Sequence, residues 1–166
     1  SNDGDFLYCS ISNPTRLNSN FIQLDLNNEK THLIHLPEFD KREKFRVTFK
    51  VEIFGGVSTS TTSPSLDYTP NQDKLIFWSS AFNHIYQFNP ETKSVQYIKI
   101  SNSLTPNEKM NDYENDVNSE EAFFKNMNQI EEEVSFSNLF WDDVNQVFYR
   151  FTSFNLPQVE NEKIKS

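Results

Sequence analysis

KLIFWSSAFNHIYQFNPETKSVQYIKI, residues 74–100, is the stretch whose reading decides the fold. Leu75-Ile76-Phe77-Trp78 is an apolar, aromatic run of the kind that fills a pleated, buried surface. Ser80-Ala81-Phe82-Asn83 turns the chain into His84-Ile85-Tyr86-Gln87-Phe88. Asn89-Pro90-Glu91-Thr92-Lys93 is a second turn, in which Asn bonds nearby backbone and Pro presets φ. Ser94-Val95-Gln96-Tyr97-Ile98-Lys99-Ile100 is the last run. Strand, turn, strand, turn, strand at this pitch predicts an antiparallel meander. Ser65-Leu66-Asp67-Tyr68-Thr69, with a turn at Pro70-Asn71-Gln72-Asp73, supplies a strand ahead of it and makes four.

The same grammar precedes it. Residues 5–11 (DFLYCSI) read as a strand and 13–20 as a polar connection. Phe21-Ile22-Gln23-Leu24-Asp25-Leu26 alternates, with Ile22, Leu24 and Leu26 on one face. Asn27-Asn28-Glu29-Lys30 is the turn, and Thr31-His32-Leu33-Ile34-His35-Leu36 a strand stopped by Pro37. Residues 23–30 align with 86–93, an offset of roughly 60–65 residues that exceeds the common propeller period by one insert. The insert opens with a charged turn, residues 38–44. It continues as the alternating strand 45–54, with Phe45, Val47, Phe49, Val51 and Ile53 on its buried side. After Gly55-Gly56, residues 58–64 read as a Ser/Thr loop.

Beyond Ile100 the chain turns polar, and residues 101–118 read as an exposed loop. A short helix follows over 119–130, with Ser119 as N-cap, Glu120 and Glu121 in the first turn, and Phe123, Met127 and Ile130 on one face. Residues 134–141, the turn 142–146 and residues 147–152 then form a hairpin laid out like 65–78.

The architecture this predicts is all-β: a partial β-propeller of four-stranded antiparallel blades with one short helical insert. The blades fall at about 5–54, 65–100 and 134–156, and the loop and helix at 101–133. A barrel or sandwich sharing the meander is the weaker reading. Three units cannot close a ring, and open sheet edges invite aggregation, so a fragment of a larger propeller is expected.

The chain has 166 residues and one domain's worth of length. Hydrophobic residues are only 36%, but sixteen Phe among 14% aromatics supply a core, since each buried ring removes on the order of 150–250 Å² from water. A net charge of −9 is repelled by phosphate backbones, which argues against nucleic acid as a partner. No apolar run approaches the roughly 20 residues of a membrane-spanning helix. The polar, acidic start Ser1-Asn2-Asp3-Gly4-Asp5 does not read as a signal peptide, so an internal or processed start is expected. The single Cys9 forms no internal disulfide and reads as a strand residue rather than a lipid-attachment site.

Chemistry-bearing candidates are few. His32 and His35, three apart on a strand, fall on opposite faces and cannot share an ion. The acids of 112–120 approach a calcium loop, but Val117 stands where Gly is needed and Phe123 where Glu is needed. Asp142-Asp143 sits in a turn, where Asp is favoured for backbone reasons. No metal or cofactor is expected. Arg150, flanked by aromatics, either pairs within an interface between sheets or faces a channel as an anion-binding group. Trp78 and Trp141 read as packing between blades or, on a rim, as a platform for a sugar or peptide. Arg150, Trp78 and Trp141 are therefore the candidate ligand-binding residues, and no catalytic residue is assigned.

Phe136-Ser137-Asn138-Leu139-Phe140-Trp141-Asp142-Asp143-Val144-Asn145-Gln146-Val147-Phe148-Tyr149-Arg150-Phe151 resembles the "F-x-x-L-x-x-D-x-x-x-x-x-Y-Y-R-F" hairpin of TolB-like six-bladed propeller proteins of Bacteroidetes. Phe148 replaces the first Tyr. Residues 84–100 are similar to the preceding blade of those proteins, and the resemblance covers about residues 66–151. It implies a six-bladed propeller in an exported, often lipid-anchored protein of unknown activity, in the periplasm or at the outer-membrane surface. The function expected on this reading is a non-catalytic binding or scaffold module of the cell envelope, holding a peptide, protein or glycan. The alternative is a hydrolase or lyase whose site further blades complete.

Overall fold

The computed structural model describes residues 5–11, 20–110 and 113–154. Most of the polar connection expected over 13–20, Asp112 of the acidic cluster, the end of the third unit at 155–156 and the polar stretch 158–166 lie outside the described residues.

Among the described residues, twelve strands form four small sheets. The central sheet is the meander, in the order β6(Leu66–Asn71), β7(Lys74–Ser79), β8(Phe82–Asn89), β9(Ser94–Ile98), antiparallel throughout. On one side lies the three-stranded sheet β1(Phe6–Ser10), β2(Phe21–Asp25), β3(Lys30–Ile34). On the other lies the hairpin of β11(Ser135–Asp142) and β12(Val147–Ser153).

The central sheet is covered on both faces, which is why Leu75-Ile76-Phe77-Trp78 of β7 reads as a continuous apolar run rather than alternation. Phe77, Phe82, Tyr86 and Phe88 join Phe21, Ile34, Phe39 and Phe45 in one core against β1–β3. Ile76, Trp78 and Ile85 join Leu139 in a second core against β11 and β12. The two outer sheets each turn one face inward and leave the other open.

Side chains alternate along β2, with Ile22 and Leu24 sharing a face as expected. Phe21 and Gln23 point into the core, and Ile22, Leu24 and their cross-strand neighbours Cys9, Leu7 and Leu33 point away from it. The face that looks most apolar in the sequence is the open one. The hairpin shows the same arrangement: Phe136 and Leu139 are buried, while Phe140, Val147, Tyr149 and Phe151 lie on the far side, with Phe140 and Phe151 in ring contact at 5.7 Å.

Three of the hairpin turns share one device. Asp25 Oδ1 accepts from the N–H groups of Asn27 and Asn28, Asn89 Oδ1 from Glu91 and Thr92, and Asp142 Oδ1 from Val144 and Asn145, all at 2.9–3.0 Å. Each turn then closes with a residue in the left-handed region: Glu29 at φ 54°, Lys93 at φ 58° and Gln146 at φ 54°. The true correspondence is therefore Asp25 with Asn89, one position off the alignment of 23–30 with 86–93.

The insert departs further from expectation. The charged turn is a short helix, α1(Pro37–Asp40), running into a 3-10 helix, Lys41–Phe45. Phe45 belongs to that helix and not to the strand, β4(Val47–Ile53). The Ser/Thr segment is a strand, β5(Gly56–Thr62), in full register with β4, because Thr and Ser satisfy an exposed ladder as well as a loop. β4 does not join β1–β3. It pairs with β5 and, in parallel, with β10(Asp116–Val117) inside the stretch expected to be loop. Its apolar side is buried only near its start: Val47 is fully buried, whereas Ile53 at the tip is 48% exposed.

The predicted helix is α2(Glu120–Glu132), with Ser119 Oγ accepting from Ala122 N–H at 3.2 Å as the N-cap requires. Its Phe123 and Ile130 close a third core with Val47 and Val117. The buried Lys109 ammonium donates to Ile130 O at 2.6 Å, placing a cation among the last carbonyls of the helix, where the dipole is negative.

Candidate functional site

Two kinds of polar construction stand out: clamps between sheets, and a cleft at the outer end of the central sheet. Arg150 makes the larger clamp. From β12 its Nε donates to Ser137 O at 2.7 Å, Nη1 to Phe82 O at 2.9 Å and Asn83 O at 3.2 Å, and Nη2 to Ser79 O at 2.7 Å. The guanidinium also lies 5.0 Å from the Phe136 ring centroid and 5.8 Å from that of Trp78. Burial pushes its pKa down to about 10, so it remains a cation at neutral pH.

Of the residues expected to bind a ligand, Arg150 and Trp78 meet in this interface. Trp78 is buried there with its indole N–H on Thr69 Oγ1 at 3.2 Å. Trp141 lies against Phe148 at 4.8 Å between centroids and donates to Asp143 Oδ1 at 2.7 Å. The carboxylate of Asp142 is occupied by its turn, and the Asn145 side chain, then the turn N–H groups, hold its pKa below the usual range.

The second clamp joins the central sheet to β1–β3. Gln23, nearly fully buried, donates to Tyr8 Oη at 3.0 Å and accepts from Lys93 Nζ at 2.6 Å, and Lys93 lies 4.5 Å from the Phe6 ring centroid. His32 stacks on Phe88, and His35 faces Asp40 at 3.0 Å, so the two imidazoles have separate surroundings.

The cleft encloses about 530 Å³ and lies where α1, β8, β9 and the loop 101–110 meet. Its charged and polar wall is Glu38, Lys41, His84, Tyr97, Lys99 and Glu108, and its apolar wall is Ile100, Pro106 and Met110. These positions are fixed by backbone. Glu38 N–H donates to Tyr86 Oη at 2.9 Å. Asn83 N–H donates to Asn107 O at 2.8 Å and Lys109 N–H to Ala81 O at 3.0 Å, tying the loop to the start of β8, with Glu108 bridged to Phe82. Asn102 accepts from Leu104 and Thr105, and Asn107 from Asn102, so the loop is internally braced.

His84 is the cleft's buried component. Its ring stacks against Phe82 at 4.8 Å and Phe39 at 5.4 Å and meets Tyr97 edge-on at 5.1 Å. Only 8% of the residue is exposed, and its Nε2 is buried with no hydrogen-bond partner. Burial drives its pKa down to about 4, against a smaller opposing pull from Glu38, so the imidazole is neutral at physiological pH. Tyr97 is shifted upward by burial and then by Glu38. Both shifts lead away from neutrality, so these two groups are suited to hydrogen bonding rather than to proton transfer at pH 7. Lys41 is paired with Glu38, and that hydrogen bond raises its pKa.

The sequence did not mark this cleft. Its one legible signal was the i,i+3 spacing of Glu38 and Lys41 within the charged segment after Pro37. Among the described residues no cluster of three His, Cys, Asp or Glu side chains is placed to hold a metal ion. None of the described helices is long and apolar enough to cross a membrane.

Fold and cleft together define a β-rich protein of small antiparallel sheets packed face to face, with a mixed-charge cleft at one sheet end. The chain belongs to the family described as domain of unknown function (DUF4221), whose model matches residues 1–166. A crystal structure of a DUF4221 family member from Bacteroides vulgatus ATCC 8482 is similar to it, with a TM-score of 0.59 and 14% sequence identity over 96% of this chain. The chain spans 42% of that protein's length. At that identity the likeness speaks for the fold. Curated proteins give no match.

Proposed function

We propose that the chain is part of a TolB-like β-propeller acting as a non-catalytic binding or scaffold module of the bacterial cell envelope. On this reading β6–β9 is a complete blade, β1–β3 is a blade contributing three strands here, and β11–β12 begins a third. The observation that carries it is the stacking of three sheets in which, among the described residues, the middle one alone is covered on both faces. Propeller blades are covered in this way by their neighbours, and the open aromatic face of Phe140, Tyr149 and Phe151 awaits a further sheet.

The binding role rests on where polar groups are spent. Arg150, Trp78, Gln23 and Lys93 hold sheets together, which leaves a rigid scaffold with a cleft on it. Ligand sites on rigid elements are well suited to recognition. The ligand classes this suits are a peptide, protein or glycan.

The test is a thermal-shift screen of the full-length protein against peptide and glycan libraries, with product analysis of every hit. A hit that raises Tm, is recovered unchanged, and loses its effect in Tyr97→Ala supports the reading. A hit that is cleaved would move the protein to the hydrolase or lyase class. Cell fractionation adds the location: recovery with periplasm or outer membrane is expected, and recovery in the cytosol contradicts the envelope assignment.

A further inference from the structure

We infer that the cleft between α1, β9 and the loop 101–110 binds a zwitterion of amino-acid or short-peptide type, its carboxylate on Lys99 and its ammonium on Glu108. This rests on the binding-module reading and names the ligand class for it. Four charged side chains line the cleft, two of each sign. Glu38 and Lys41 are paired with each other, while Glu108 feels Lys41 only as a more distant charge. Lys99 and Glu108 have no ion-pair partner among the described residues, although they share the same wall. A purely anionic ligand would leave Glu108 facing it, and a purely cationic one would leave Lys99. A ligand carrying both signs satisfies both, and discrimination follows from that complementarity.

The rest of the cleft suits the body of such a ligand. Ile100, Pro106 and Met110 give an apolar wall to an aliphatic side chain. Tyr97 also lines the cleft and brings a hydroxyl that can donate to or accept from peptide groups. His84 forms a neutral aromatic floor, held in place by its contacts with Phe39, Phe82 and Tyr97. Because the loop is tied to β8 through Asn83, Asn107 and Lys109, these groups are in place before the ligand arrives, which limits the ordering cost of binding.

Isothermal titration calorimetry on the full-length protein tests this with three probes: L-leucyl-L-leucine, its N-acetylated and C-amidated form, and cellobiose. The free dipeptide is expected to bind, with affinity falling by about tenfold or more on capping both ends. Lys99→Gln and Glu108→Gln, both at exposed positions that leave folding intact, are each expected to weaken the free dipeptide by about tenfold and to leave the capped one unchanged. Equal affinity for free and capped dipeptide overturns the inference, as does binding of none of the three probes. Binding of cellobiose alone overturns it while leaving the binding-module reading in place. Cleavage of the dipeptide, seen by mass spectrometry of the titrated sample, overturns the binding-module reading itself.

Discussion

Arg150 Nη2 lies 2.7 Å from the carbonyl oxygen of Ser79, a bond that spans 71 residues of chain and joins the last hairpin to the central sheet. Its other donors close on Ser137, Phe82 and Asn83, so one guanidinium satisfies carbonyls from three chain segments at once. Arg150→Ala leaves those acceptors unpaired in an apolar interface and is expected to cost about 3 kcal/mol in urea-induced unfolding. Arg150→Lys keeps the charge but not the planar fork and should recover less than half of that. A loss under about 1 kcal/mol for Arg150→Ala would show that the clamp is not a major stabilising contact.

Lys93 and Gln23 form the corresponding link on the opposite face of the sheet. Lys93→Met strands the buried Gln23 Oε1 and is expected to destabilise by about 1–2 kcal/mol. Adding Gln23→Leu removes the orphan, so the double variant should be more stable than the sum of the two single losses, with a coupling of about 1 kcal/mol in a double-mutant cycle. Strict additivity would contradict the link.

His84 predicts an acid-sensitive fold. Its pKa is lowered to about 4 in the folded state from an ordinary value of 6.5, so between those values the unfolded chain binds more protons than the folded one. Stability from the neutral imidazole is complete above about pH 6.5 and is lost as pH falls towards 4. Glu38 opposes that shift, while Lys41, Arg150 and Lys99 reinforce it. His84→Phe retains the stack between Phe39 and Phe82 and should flatten the pH dependence of Tm across that window. An unchanged slope in the variant would assign the acid sensitivity to other groups.

The shared turn gives a local prediction. Asn89 holds two backbone N–H groups through one oxygen, and Asn89→Ala is expected to cost about 1 kcal/mol. Asn89→Asp, the residue found at Asp25 and Asp142, should restore it. Equal loss in both variants would mean that the side-chain oxygen is not what holds the turn.

The contrast between what was legible in the sequence and what was not follows from the range of the interactions. The meander over 66–98 and the α2 helix were legible because their signals are local: turn chemistry at Asn89, an N-cap at Ser119, an apolar run in β7. Along β2 the alternation was legible but not which face is covered: Phe21 with Gln23 lies inside while Ile22 and Leu24 lie outside, because, among the described residues, the sheet packs on one side only. β5 looked like a loop because Ser and Thr serve a turn or an exposed ladder equally well. Of the cleft almost nothing was legible. Glu38, His84, Tyr97, Lys99 and Glu108 come from four separate segments, brought together by the Glu38–Tyr86 bond, the β8–β9 ladder and the bonds from Asn83 to Asn107 and from Lys109 to Ala81.

Cys9 offers the most direct test of the stacked-blade account. It lies on the open face of β1–β3, opposite Ile22, and is exposed when only these residues are considered. If β1–β3 is a propeller blade, a neighbouring sheet covers that face in the full-length protein. Maleimide labelling of the native full-length protein, read by mass spectrometry of the peptide containing Cys9, should then show a thiol protected until denaturant unfolds the chain. Labelling of Cys9 in the native protein at the rate of a free thiol would contradict the account, because it would show the outer face of the sheet open to solvent.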